Sequence, residues 1–270
     1  MTAFYGSTAM PRIIFGEGEL LQAFYKVMEE RTPGIWELNK ALLDLWQPNA
    51  YSHDWVLPDN FHVHVKVMDS ISNSIDFMGN SYEIISKVNA PTPTGLSIGA
   101  NVVHSIDAMV VRELSRRCDF NLAKKAEIME LILTTPDHTA ERRIERSTDS
   151  RLVQTLLHRA TSSGFLSARI LDHINEGTIH LCDANQREQI WALLESMPEK
   201  PFKVLAVHDC FRVHPNYAND LRSQYNQVLY EISQSQLLQN IGGQILGEEV
   251  IVNKRDDISK DILETNYALS

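Results

Sequence analysis

Three observations predict an α+β fold, mostly helical with a small antiparallel sheet. Apolar residues recur at helical spacing over several long stretches. Residues 61–67 alternate strictly between apolar and polar. A strong strand at 202–207 turns back on itself at 210–213.

The elements follow in chain order. Leu20, Leu21, Phe24 and Met28 predict a helix over 19–31, and Trp36, Leu38, Leu42, Leu43 and Trp46 a second over 36–46, with Pro33-Gly34 as the break between them. Trp55-Val-Leu-Pro58-Asp-Asn60-Phe61 reads as a strand entering a turn. Phe61-His-Val63-His-Val65-Lys-Val67 reads as a half-buried strand, and Asp69-Ser-Ile-Ser-Asn-Ser74 as a Ser-rich turn at its end. After the break at Pro91-Thr-Pro93-Thr-Gly95, a helix is expected from about Asn101 to Cys118. Its buried stripe is Val102, Val103, Ile106, Val110 and Leu114, with His104, Asp107, Ala108 and Val111 on another face. Residues 119–200 are polar and helical in character, a surface insertion or a small subdomain. Phe202-Lys-Val204-Leu-Ala-Val207 and Cys210-Phe-Arg-Val213 form a hairpin with His208-Asp209 at its tip. Pro215-Asn216 opens a long helix with Tyr217, Leu221, Tyr225, Val228 and Ile232 on one face, and Gly242-Gly243 closes that region.

Composition narrows the function classes. The 270 residues suffice for a substantial core, and 43% hydrophobic with 22% charged residues is a globular balance. No run of about 18 apolar residues is present, so no membrane span is expected. Residues 1–7 lack a basic region followed by an apolar stretch, which argues against a signal peptide. Three cysteines, Cys118, Cys182 and Cys210, form no CxxC pair and fit a reducing compartment. Lys plus Arg is 25 against Asp plus Glu 35, a net charge of −10. Taken alone, that balance argues against a chain that wraps nucleic acid by itself.

Several constellations carry potential chemistry. The carboxylate of Asp209, on a hairpin tip, suits a hard divalent cation, although spacing alone favours a turn Asp. Gly95-Leu-Ser97-Ile-Gly99 matches the GxSxG nucleophile elbow of serine hydrolases, but Pro91 and Pro93 occupy the place of the strand that the elbow needs. His62-x-His64 and His180-x-Cys182-Asp183 have metal-ligand character without a third ligand nearby, and solvent-facing residues explain them better. Asp69 is a further carboxylate considered as a metal partner for Asp209, with a strand-end turn as the simpler account. Arg142, Arg143, Arg146, Arg151 and Arg159 alternate with acids, as a solvated helix surface does.

Read together, five segments resemble the single-subunit, phage-type DNA-directed RNA polymerases. Met1-Thr-Ala-Phe-Tyr5-Gly6-Ser7 is similar to the end of that family's fingers-helix motif. Trp55-Val-Leu-Pro58-Asp-Asn60-Phe61 is similar to its Trp-Val-x-Pro-Asp-Gly-Phe segment, and Asn101-Val-Val-His104-Ser105-Ile-Asp107 to its Asn-x-Val-His-Ser-x-Asp helix. Val207-His208-Asp209-Cys210-Phe211 resembles its palm hairpin His-Asp-Ser-Phe with Cys in place of Ser. Residues 261–270 resemble its C-terminus. The segments come in the family's order and span roughly two thirds of the chain. Residues 8–24 are shorter than the family's region, and 119–200 longer.

The resemblance implies a right-hand polymerase fold holding the C-terminal half of the fingers and the palm. Residues 1–50 would be a remnant of the fingers, and 51–118 a palm segment with the His-Ser-x-Asp helix. Residues 119–200 would be a helical insertion, and 201–270 the palm hairpin with a C-terminal helix and tail. It further implies template-dependent ribonucleotide addition by two-metal phosphoryl transfer. Asp209 would hold Mg2+, two ions sharing a second carboxylate from elsewhere, and His208 would support the hairpin tip. Tyr5, Gly6 and Ser7 would sit at the incoming nucleotide, and His104, with Asp107 one turn along, at the terminal base pair. The family's nucleotide-binding Lys falls four residues before the position of Met1 and its first palm Asp earlier still, and Asp69 lies on the wrong side of the Tyr-Gly-Ser motif to replace that Asp. The implied molecule is therefore one subunit of a split heterodimeric enzyme or a fragment of one. Its partners would be a basic second polymerase subunit, a DNA template, an RNA product and ribonucleoside triphosphates, in the cytoplasm of a phage-infected bacterium. The alternatives are a non-catalytic structural subunit, a fragment of an A-family DNA polymerase and a serine hydrolase. The A-family typically places Glu where Cys210 stands.

Overall fold

The computed structural model describes residues 9–136, 147–207, 210–254 and 256–266. Helices dominate, and the only sheets among the described residues are three two-stranded ones. The chain divides into two compact units. One contains residues up to Trp55, His62–Ser105 and Ile241–Glu249. The other contains Val56–Phe61, Ile106–Asn240 and Val250 onward.

The first unit begins with helices α1 (Ala9–Phe15), α2 (Glu19–Arg31) and α3 (Pro33–Leu43). The Pro33-Gly34 break lies inside α3. Proline occupies the first helical turn, where its missing N–H would have had no partner. Phe15, Phe24, Tyr25 and Trp36 make a chain of ring contacts across the three helices, with centroids 4.9–5.9 Å apart. Strands β1 (Ser52–Val56) and β2 (His62–Lys66) pair next.

The Ser-rich turn expected at 69–74 is instead part of a long hairpin, β3 (Met68–Phe77) with β4 (Asn80–Asn89). Asp69 sits inside β3, where its Oδ1 accepts from the Ser70 backbone N–H. Met78 and Gly79 connect the strands with φ of 51° and 77°, the two positive values that a tight primed turn requires. The register puts Ile71, Ile75, Phe77, Tyr82, Ile84 and Val88 on one face with Asp69, Asn73 and Ser86, and Ser70, Ser72, Ser74, Ser81, Glu83 and Lys87 on the other with Met68 and Ile85.

Helix α4 (Ser97–Cys118) continues from the first unit into the second. It starts four residues before the expected Asn101. Of the expected stripe, Val102, Val110 and Leu114 are buried, while Val103 and Ile106 are half-buried. Ile98, Met109, Glu113 and Arg117 are also buried.

The second unit contains α5 (Leu122–Thr134), α6 (Thr148–Ser163), α7 (Ala184–Ser196) and two short 3-10 turns at Ala168–Asp172 and Ile179–Leu181. The described residues of 119–200 are largely helical and have a core of their own built on Ile128, Val153, Leu156, Ile170, Ile190 and Leu194. Each of these side chains contributes about 1.5–3 kcal/mol on burial. Asn121, Ser147 and Asp183 cap the three helices, Asp183 in a reciprocal box with Gln186. Arg187, almost fully buried, donates to the carbonyls of Cys182 and Thr135.

Strands β5 (Leu205–Val207) and β6 (Cys210–Arg212) form the expected hairpin, and a 3-10 turn at Pro215–Tyr217 leads into α8 (Ala218–Gln234). Gly242-Gly243 does not close this region but lies within α9 (Leu237–Leu246). The helix ends instead at Gly247, whose φ of +73° is the left-handed conformation common after a last turn. In α10 (Ser259–Glu264), the carbonyls of Leu263 and of Thr265 just beyond it accept from Asn226 Nδ2 of α8.

His53, 2% exposed, makes the first unit acid-sensitive. Its Nε2 accepts the Gln47 backbone N–H at 3.0 Å, so the ring is neutral there, and it packs on Trp46 at 4.6 Å. Burial holds its pKa below the ordinary value, against the opposing pull of Asp54. A depressed folded pKa means that the unfolded chain binds the proton first, so stability is present at neutral pH and falls as pH drops below about 6.5. The urea midpoint of the unaltered protein should fall between about pH 7.5 and 5.5. His53→Gln, which retains an acceptor and cannot protonate there, should show a smaller fall; an equal fall in both proteins would refute the assignment.

Candidate functional site

The turn after β1 positions a buried, multiply bonded polar cluster. Asn60 N–H donates to Leu57 O at 2.8 Å and Leu57 N–H to Phe61 O at 2.9 Å, which closes a tight loop around Pro58-Asp59. Asn60 takes φ 57°, a conformation open to Gly or Asn but rare for other residues.

This turn buries Asp59 to 1% exposure and turns its carboxylate toward α4. Arg112 donates to it twice, from Nε at 2.6 Å and Nη2 at 3.2 Å, and Arg116 Nη1 once at 3.2 Å. Arg169 Nη1 donates to the Asp59 carbonyl at 2.7 Å. The Arg112 guanidinium also lies 4.3 Å from the Phe61 ring centroid. Burial alone would raise the Asp59 pKa, but the hydrogen bonds and charges of Arg112 and Arg116 outweigh it and hold the carboxyl below its ordinary value.

In the first unit, Trp55 is buried and its Nε1–H donates to Ser105 Oγ at 3.1 Å, while the Ser105 hydroxyl donates to Val102 O at 2.7 Å. Two segments selected for their motifs, 55–61 and 101–107, thus meet through specific side chains. His104 and Asp107, three positions apart on α4, are both exposed, on the face opposite the buried stripe.

Tyr5, Gly6 and Ser7, and likewise His208 and Asp209, lie outside the described residues, as do Arg142, Arg143 and Arg146. The strands flanking 208 and 209 are described. Val207 pairs with Cys210, Ala206 with Phe211 and Leu205 with Arg212, which leaves two residues for the connection. The strand expected at 202–207 is only three residues long as a paired element. Leu205 is 60% and Val207 47% exposed, while Ala206 and Phe211 are half-buried on the opposite face. Phe211 reaches the Tyr225 ring at 5.9 Å.

The competing constellations resolve differently. No strand leads directly into Ser97. Seven residues, including Pro91 and Pro93, separate the end of β4 from α4, so the elbow geometry is not formed. Gly95 and Gly99 have packing reasons. A Cβ on Gly95 would lie 2.3 Å from the Trp46 ring, and one on Gly99 3.3 Å from Leu42 Cβ. His62 and His64 are exposed on β2, with His64 Nδ1 against Asp54 Oδ1. Cys182 is a core residue with its thiol pKa pushed up to about 12 by burial, and Asp183 is a helix cap. Among the described residues, no three His, Cys, Asp or Glu side chains form a group that could hold a metal ion.

Sequence reasoning missed Arg112, Glu113, Arg116, Arg117 and Arg169. The only signal was two arginines four residues apart on the helix after a Pro-Asp turn, which reads as ordinary surface. No known protein-family model matches the chain, and no curated protein matches it. Replacing Asp59 with Asn should cost about 2–4 kcal/mol in urea unfolding, because two guanidinium groups lose a buried counter-charge. A loss within about 0.5 kcal/mol, the range of an unremarkable surface change, would mean the cluster does not fix the turn.

Proposed function

We propose that this chain is a subunit of a DNA-directed RNA polymerase of the phage type, which adds ribonucleotides to an RNA product on a DNA template. The supporting observation is that Trp55, from the segment resembling Trp-Val-x-Pro-Asp-Gly-Phe, donates its indole hydrogen bond to Ser105, from the segment resembling His-Ser-x-Asp. Two stretches chosen for one family's motifs are joined by residues of those motifs. The two-residue connection between β5 and β6 at positions 208 and 209 is consistent with the same reading.

In this reading, His104 contacts the terminal base pair from the exposed face of α4, and Asp107 orients it. Tyr5, Gly6 and Ser7 contact the incoming nucleotide. Asp209 supplies one metal-binding carboxylate and His208 supports it. Two Mg2+ ions would stabilise the attacking 3′ oxygen and the leaving pyrophosphate. By the resemblance, the second carboxylate and the nucleotide-binding Lys would come from a partner chain.

The exposed apolar side chains of β5 favour such a partner. An isolated two-stranded hairpin is at best marginally stable, and Leu205 and Val207 offer a surface for another element. A protein of the infected bacterial cytoplasm fits this reading. Among the described residues, no helix is long and apolar enough to cross a membrane.

The test is co-expression with the product of the neighbouring reading frame, followed by promoter-independent nucleotide incorporation on a primed DNA template. The complex should incorporate ribonucleotides in preference to deoxyribonucleotides. Asp209→Ala should reduce incorporation by about three orders of magnitude or more while leaving the complex assembled. Undiminished incorporation by that variant would sink the catalytic reading and leave a structural subunit. A preference for deoxyribonucleotides would point to an A-family DNA polymerase instead.

A further inference from the structure

We propose that a cleft in the second unit, between α4, α5 and α7, binds a small organic anion with a carboxylate or phosphate head on an apolar body. The cleft encloses about 480 Å3, within the range of small-molecule sites. Its floor is apolar, formed by Ile128, Leu171, Leu194 and Met197 from the helical core. Phe120 and Lys125 line one side.

The charged residues of the lining differ in how they are paired. Arg116 is held by Asp59 and Glu113, Lys124 by Glu127, and Asp119 accepts from Lys203. Lys125 has no carboxylate partner among the described residues. Its ammonium donates only to the carbonyls of Met197 and Pro198, at 3.3 and 3.4 Å, and lies 5.3 Å from the Phe120 ring centroid. Both hydrogen bonds are long, and neither acceptor carries a charge to neutralise the ammonium. Burial pulls the Lys125 pKa down, the mark of a cation that has lost water without gaining a counter-ion.

An anion placed here restores what Lys125 lacks. A half-buried cation attracts it more strongly than a solvated one, because screening is weaker away from bulk water. Asp172, which also lines the cleft, is exposed and screened by water. The floor selects for an apolar body behind the anionic head, since each methylene covered contributes about 0.8 kcal/mol. The proposal does not depend on the polymerase reading, because none of the residues assigned to nucleotide addition lines the cleft.

The experiment is a calorimetric titration of the full chain with three probes that share a ring and differ in head: benzoate, phenyl phosphate and uncharged benzyl alcohol. At least one of the two anions should bind saturably and more tightly than benzyl alcohol, and the stronger identifies the head. Lys125→Met, close in shape but neutral, should weaken that anion about ten- to a hundredfold, the effect of losing one charge-assisted hydrogen bond. Its thermal midpoint should stay near that of the unaltered protein, and Lys125→Arg should retain binding. Equal affinity for benzyl alcohol and the anions, unchanged anion affinity in a folded Lys125→Met protein, or no saturation at millimolar anion would each overturn the proposal. The three-probe comparison on the unaltered protein decides the matter even if the Met variant does not fold.

Discussion

Glu113 has no solvent exposure, and much of the second unit is arranged to make that tolerable. Its carboxylate accepts from the Ser167 hydroxyl, from the Ala168 backbone N–H at 2.8 Å and from Arg116 at 3.1 Å. Arg117, equally buried, lies 3.6 Å away through Nε and reaches Glu231 of α8 with two parallel hydrogen bonds. Taking such ions out of water costs several kcal/mol each, and the cost is offset only while every partner is in place. A rotation of α4 about its axis would leave a charge buried without its donors. The cluster therefore fixes which face of α4 turns inward. Arg112 and Arg116 then point at Asp59 and hold the Pro-Asp turn.

The same network explains where sequence reasoning stops. Apolar periodicity located α2 at its observed limits, placed α4 within four residues and identified the hairpin around 208 and 209. It made no assignment for Glu113 and Arg117, because a charged residue on a helix normally faces solvent and draws no notice. Their partners lie 54 and 114 residues away along the chain, and no local pattern announces such pairings. The β3–β4 hairpin was hidden for a different reason. Its apolar face is uncovered and its connection is Met-Gly, so neither burial nor a familiar turn sequence marked it. Gly95 and Gly99 resembled a catalytic motif by spacing, yet the neighbours that require them are Trp46 and Leu42, which only packing could reveal.

Sheet architecture carries a consequence of its own. Each sheet among the described residues stops at two strands, although sheets gain independent stability from a third strand or from a packed layer. One face of the β3–β4 pair carries most of its Ile, Phe, Tyr and Val side chains, with Asp69, Asn73 and Ser86 among them, and the other carries Met68 and Ile85 beside side chains joined by Ser72–Glu83 and Ser74–Ser81 hydrogen bonds. The β5–β6 pair has one face against Tyr225 and the other exposed. Apolar strand faces of this kind are costly to leave in water, and the proposed second subunit gives them a physical purpose.

Charge completes the argument. The chain has 25 basic residues against 35 acidic ones, and several of its arginines are already paired with carboxylates. Arg112 and Arg116 neutralise Asp59, and Arg117 lies between Glu113 and Glu231. A guanidinium used in this way cannot also release counterions from a phosphate backbone. The positive charge free to meet nucleic acid is thus smaller than the count of Lys and Arg implies. In the proposed polymerase reading, much of the phosphate-binding surface would therefore come from a basic partner polypeptide.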